Sequence, residues 1–152
     1  MNLQSTAFES GDSIPVEHTC DGENISPTLT WDGVPDEAQA LALIVDDPDA
    51  PRGTFSHWVV YNLPPDRNRL ERSIPAEERL SPTGMQGRND FGNVQYEGPC
   101  PPRGSRHDYY FRLFALDEPL ELMPGATRDQ VLDAMQGHIL EQTELIGRYE
   151  RL

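Results

Sequence analysis

The chain has 152 residues, and its 26 Asp and Glu against 12 basic residues give a formal net charge of −14. This length fits one domain, residues 1–152, able to bury a core without a metal or a disulfide scaffold. The charge argues against nucleic acid as a partner and against an anionic membrane surface. No stretch approaches the ~20 apolar residues of a membrane span.

All 12 basic residues are arginine. Acid excess without lysine fits a halophilic source, whose carboxylates hold water and cations at high salt. A GC-rich genome is the other account of the missing lysines. The N-terminus has no basic region followed by an apolar block, so no secretory signal is expected and the expected location is the cytoplasm. Two cysteines, Cys20 and Cys100, lie far apart and form no CxxC pair. In the cytoplasm they read as reduced, buried structural residues, with a single bridge or a reactive thiol as the alternatives.

Proline and glycine are spread along the whole chain, which predicts many short segments joined by turns and an all-β architecture. Phe8 to Ile14 reads as an edge strand. Thr28 to Trp31 alternates polar and apolar residues with the period of a half-buried strand. Ala40 to Val45 is a continuous apolar run, expected for a central strand covered on both faces. In the next strand, Phe55 to Leu63, simple alternation puts Phe55, His57, Val59 and Tyr61 on one face and Ser56, Trp58, Val60 and Asn62 on the other. Residues 64–93 are polar and irregular. Tyr109 to Leu116 is the strongest strand, with His107 in the parity of Tyr109. Thr127 and Gln130 form a capping box that opens a helix, with Val131, Met135 and Ile139 as its apolar stripe. Glu144 to Arg151 ends the chain as a short strand or extended tail.

Two proline-dense runs carry the candidate chemistry: Asp46 to Gly53 leading to His57, and Gly98 to Gly104 leading to His107. Each couples a stiff loop to a strand and delivers titratable side chains at the join. Asp47 and Asp49 flank Pro48, and read either as turn formers or as acids facing a pocket. His107 and Tyr109 share a strand face about 6–7 Å apart, so both can donate to oxygens of one phosphate. Arg103 and Arg106 carry guanidinium forks suited to phosphate, or are simply solvated. No nucleophile elbow, phosphate loop or dinucleotide fingerprint is present, and no short-range ligand pair favours zinc. Neither a metal, a cofactor nor a catalytic residue is therefore assigned.

These residues resemble the phosphatidylethanolamine-binding proteins, in particular their short bacterial and archaeal Raf-kinase-inhibitor-like branch. The likeness is carried by Thr19 to Pro27, Trp31, Asp46 to Pro51, His57 to Asn62, Gly98 to Pro102, Gly104, His107, Tyr109 and Leu145 to Tyr149. It implies a mainly β, Greek-key β-sandwich of two antiparallel sheets with a few short helices, one near the C-terminus. It also implies a small anion cavity using Asp47 and Asp49, His57, the loop Gly98, Pro99, Pro101 and Pro102, and His107 with Tyr109. Many relatives have Arg where this chain has Asp108, which reverses a charge at the rim.

The resulting expectation is a protein that binds a small anion, such as phosphate or a phosphoethanolamine-like head group, and serves as a regulatory or inhibitory module, with a homodimer as its assembly. Binding through cationic histidines, with unperturbed pKa near 6.5, predicts affinity falling between about pH 6 and 8. The alternatives are a weak hydrolase using Asp47 and His57, and a protease or kinase inhibitor acting through loops around the pocket.

Overall fold

A computed structural model describes residues 1–152. Eight strands form two antiparallel sheets: β1 (Asn2–Ser5), β2 (Leu29–Asp32) and β5 (Arg69–Leu70) in one, ordered β1-β2-β5, and five strands in the other. The larger sheet contains β3 (Ala40–Asp47), β4 (Phe55–Leu63), β6 (Met85–Gln86), β7 (Ser105–Leu116) and β8 (Ile139–Arg151) in the order β6-β4-β3-β7-β8. After β3, β4 and β6 the chain returns to place β7 beside β3, which is a Greek key. One helix, α1 (Arg128–Met135), precedes the last strand.

The continuous apolar run of β3 is explained by two cores. Leu41, Leu43 and Val45 face the smaller sheet and meet Leu29, Trp31, Trp58 and Phe111. Ala42 and Ile44 face outward, under Val131 and Met135 of α1. Burying each such Leu, Ile or Val contributes roughly 1.5–3 kcal/mol, so a polar residue on either face of β3 would strip one of the two layers. The helix begins as its sequence dictates: the Thr127 hydroxyl accepts from Gln130 N at 3.3 Å and the Gln130 carboxamide accepts from Thr127 N at 2.9 Å. Asp46, buried in β3, ties it down by accepting from Arg128 Nε at 2.9 Å.

Four elements differ from the sequence expectation. Phe8 to Ile14 is not a strand: it is a turn-rich strap whose Gly11 and Ile14 amides bond to Ile146 and Arg148 of β8, both at 2.7 Å, covering part of that strand's free edge. Gly147 makes the contact possible, since a Cβ there would sit 2.5 Å from Ile14 Cγ1. Ile139 does not extend the helix. The chain leaves α1 after Met135 and reverses at Gly137 (φ +81°), the left-handed position that glycine adopts most readily. The C-terminal tail is the longest strand, 13 residues running antiparallel along β7 with one irregularity near its start.

The fourth difference positions the site. Val45 pairs with Trp58 but Asp46 pairs with Ser56, leaving His57 as an extra residue in β4. This β-bulge breaks the alternation. Val59 and Tyr61 lie in the outer core, whereas Trp58 and Val60 lie in the inner one. Below the bulge, His57 and Phe55 join the inner face, where Asp47 and Tyr109 project, instead of sharing a face with Val59 and Tyr61.

Candidate ligand cavity

At the end of the inner face, β3, β4, β7 and the end of β8 line a half-open cavity of about 290 Å³. Its polar lining includes Asp47, His57, His107 and Tyr109, and its apolar walls include Phe55 and Pro101. The two proline-stiffened corners of the sequence thus meet in one place. A larger groove, about 450 Å³, runs beside β1, but no histidine or cation lines it.

Asp47 serves both purposes foreseen for it. Its Oδ1 accepts from Asp49 N at 2.8 Å, which closes the turn over Pro48. Its Oδ2 lies 2.7 Å from His107 Nδ1. A carboxylate only accepts, so His107 Nδ1 carries the proton. Asp49 does not line the cavity; it is exposed and accepts from Asp108 N at 2.9 Å, fastening the loop to β7.

His57 is held differently. Its Nδ1 lies 2.7 Å from the Glu97 carbonyl oxygen, so Nδ1 donates and Nε2 is left as an acceptor in the neutral ring. Burial pushes its pKa down, against the opposing pull of the Glu97 carbonyl and the Asp47 charge. His57 is therefore a neutral ring at pH 7, and the acid pairs with His107 instead of His57. Tyr109, 1% exposed, has a hydroxyl whose proton finds no acceptor in the chain. Burial raises its pKa far above the usual phenol range, so it stays a proton donor.

The Gly98 to Pro102 loop forms one wall. Pro101 and Pro102 face the cavity, whereas Gly98 and Pro99 shape the loop from behind. Gly98 N donates to Asn24 Oδ1 at 2.7 Å, and a Cβ on Gly98 would fall 1.9 Å from the His18 carbonyl oxygen, so only glycine fits. Pro99 O accepts from Cys20 N at 3.1 Å. Cys20 and Cys100 are joined in a disulfide across 80 residues, with Cα atoms 5.4 Å apart. The expectation of reduced thiols is corrected: two loops distant in sequence lie side by side, a proximity no local spacing reveals. Because such bridges belong to oxidising compartments or hyperthermophilic cells, the cysteines no longer support a cytoplasmic location.

Arg103 and Arg106 are exposed and outside the cavity lining, and Arg103 instead donates to the Leu152 carbonyl. Asp108 points away from Tyr109, with Arg148 Nε at 3.3 Å from its carboxylate. Elsewhere, Asp117, Glu118 and His138 group three donor atoms within 4.8 Å of one another. Both His138 nitrogens already face carboxylates, Asp117 at 2.8 Å and Glu118 at 3.3 Å, and these contacts clasp the turn before β8.

A model of the phosphatidylethanolamine-binding protein family matches residues 4–150. The chain belongs to this family. It is 55% identical to a UPF0098 protein of Methanothermobacter thermautotrophicus over 99% of both chains. With a UPF0098 protein of Aquifex aeolicus it shares 48% identity, over 99% of this chain and 89% of the other. Among solved structures, a putative phosphatidylethanolamine-binding protein homolog of Chlamydia trachomatis superimposes with a TM-score of 0.90 at 42% identity, covering 99% of this chain and 97% of that one. Escherichia coli YbcL, described as a member of the mammalian family, gives 0.91 at 32% identity, covering 99% and 98%. No helix is long and apolar enough to cross a membrane.

This phosphatidylethanolamine-binding protein family member has cavity residues that sequence reasoning missed. Phe91, 47% exposed, packs edge-on against Phe55 at 4.8 Å and His57 at 5.6 Å. It comes from the segment read as polar loop, held in place where Asp90 Oδ2 accepts from Ser56 N at 2.7 Å. Arg151 also lines the cavity. Its signal was available: extending the alternation of Leu145, Gly147 and Tyr149 places it on the same strand face.

Proposed function

We propose that this protein binds a small anion, a phosphate or phosphoethanolamine-like head group, and uses that binding to regulate or inhibit a protein partner. One observation carries the reading: the Asp47–His107 pair stands in a half-open cavity beside a buried Tyr109 hydroxyl whose proton has no acceptor in the chain. A buried, unpaired donor costs about 1–3 kcal/mol, and a ligand oxygen removes that cost. His107, oriented by Asp47, supplies a second polar contact. The exposed Phe91 at the mouth offers a partner an apolar contact beside the bound ligand. Calorimetric titration with phosphoethanolamine tests the reading: saturable binding that is lost in His107→Ala supports it, and absence of binding by the native chain at pH 6 and at pH 8 overturns it.

A hydrolytic reading is favoured by the same pair. A histidine whose Nδ1 is fixed by a carboxylate resembles a general base with its orienting acid, and His107 takes the place that the sequence gave to His57. A screen of phosphomonoesters and carboxylic esters with native protein and His107→Ala decides it: turnover absent in the variant supports hydrolysis, and equal background in both removes it.

A further inference from the structure

Among the side chains lining the cavity only Arg151 carries a permanent positive charge. Asp47 contributes a negative charge, and burial keeps His57 neutral. An anion entering this space therefore needs Arg151 as well as His107. The fold puts it there. In the β7–β8 register Arg151 lies opposite Ser105 and Tyr149 lies opposite His107, so Arg151 and His107 are diagonal neighbours on one sheet face, about 7–8 Å apart at the backbone.

The guanidinium is also oriented. Its Nε donates to Asp21 Oδ1 at 3.2 Å, and Asp21 Oδ2 accepts from the Tyr149 hydroxyl at 2.6 Å. One Nη contacts Cys100 Sγ at 3.5 Å. No residue of the chain accepts from the other Nη, and the side chain is only 25% exposed. A planar fork fixed along one edge and free at its end is the arrangement that suits a phosphoryl or carboxylate oxygen.

We propose that Arg151, aligned by Asp21, is the charge-reading residue of the cavity and selects ligands with a full negative charge over neutral ones. This rests on the anion-binding reading above. The ligand class is a phosphate monoester or inorganic phosphate, which Arg151 meets from the β8 side while His107 and Tyr109 meet it from β7.

The test is titration of the native chain, Arg151→Gln, Arg151→Lys, Arg103→Gln and His107→Ala with inorganic phosphate at low and high ionic strength. Loss of a charge-assisted contact predicts that Arg151→Gln weakens phosphate binding about tenfold or more and flattens its dependence on salt. Arg151→Lys recovers part of both, because the charge remains without the fork, and Arg103→Gln behaves as native. Matching thermal midpoints for the two Arg151 variants establish that the fold is retained. If Arg151→Gln binds phosphate as the native chain does while His107→Ala does not, this inference fails and the anion site stands. If the native chain binds inorganic phosphate at neither ionic strength, this inference fails; the anion site fails with it only if phosphoethanolamine is not bound either.

Discussion

His107 Nδ1 and Asp47 Oδ2 are 2.7 Å apart although 60 residues separate them in the chain, and both side chains are more than nine-tenths buried. The contact exists because β3 and β7 are antiparallel neighbours whose ends emerge together. A double-mutant cycle measures what it contributes. Asp47→Ala and His107→Ala are each expected to lower stability by about 1–3 kcal/mol, and the double variant by much less than the sum, since each single change strands a buried partner. Strict additivity in urea unfolding would show that the two groups do not interact in solution.

His57 gives the fold a pH dependence of definite sign. Its folded-state pKa lies below the ordinary histidine value of 6.5 because burial disfavours the cation. The folded state therefore binds fewer protons than the unfolded chain between the depressed pKa and that value. Stability is fully present above about pH 6.5 and is lost as pH falls through the folded pKa. His57→Asn, whose amide can still donate to the Glu97 carbonyl, is expected to flatten that loss. Stability curves of the native chain and the variant that run parallel from pH 8 to pH 5 would remove His57 as the cause.

Much of this architecture was legible because local and global preferences agree. The apolar run at Ala40 to Val45, the capping box at Thr127 and Gln130, and the alternation from Tyr109 onward each specify one element. The His107 and Tyr109 rings, expected 6–7 Å apart on a common strand face, have centroids 6.4 Å apart. What was not legible depends on contacts between distant segments. The bulge that turns His57 inward arises from pairing with β3, and no local residue marks it. Phe8 and Ile14 look like strand residues because both are apolar, yet they are buried against Gly147 from a strap. Ile139 extends the helical stripe by count, but Gly137 has already reversed the chain.

The disulfide closes 80 residues of chain and pins the Cys20 loop to the cavity wall at Cys100. Constraining the unfolded chain over a loop of that length is worth about 4.5 kcal/mol by the chain-entropy account. The double variant Cys20→Ser, Cys100→Ser is expected to lose stability of that order, and dithiothreitol to reproduce the loss in the native chain. Phosphoethanolamine affinity should weaken alongside, since Pro101 and Pro102 follow directly from the bridge. Equal unfolding midpoints with and without reductant, once free thiol has been confirmed, would mean that the loops hold each other without it.

The charge imbalance has a measurable consequence at the level of the whole molecule. Twenty-six acids face 12 arginines, and several of those arginines are already committed, Arg128 to Asp46, Arg148 to Asp108 and Arg151 to Asp21. Most carboxylates therefore have no cationic partner and repel one another across the surface. Raising ionic strength from about 0.1 M to 1 M shortens the screening length from roughly 10 Å to 3 Å, so unfolding temperature is expected to climb steadily into molar KCl at pH 7. The same titration near pH 4, where exposed carboxyls are about half protonated, separates screening from general salt effects: the climb should shrink there. A protein adapted to high salt shows this behaviour strongly. One whose lysines are absent only for compositional reasons should show little of it, and greater stability in dilute buffer than in molar KCl at pH 7 would dismiss salt adaptation altogether.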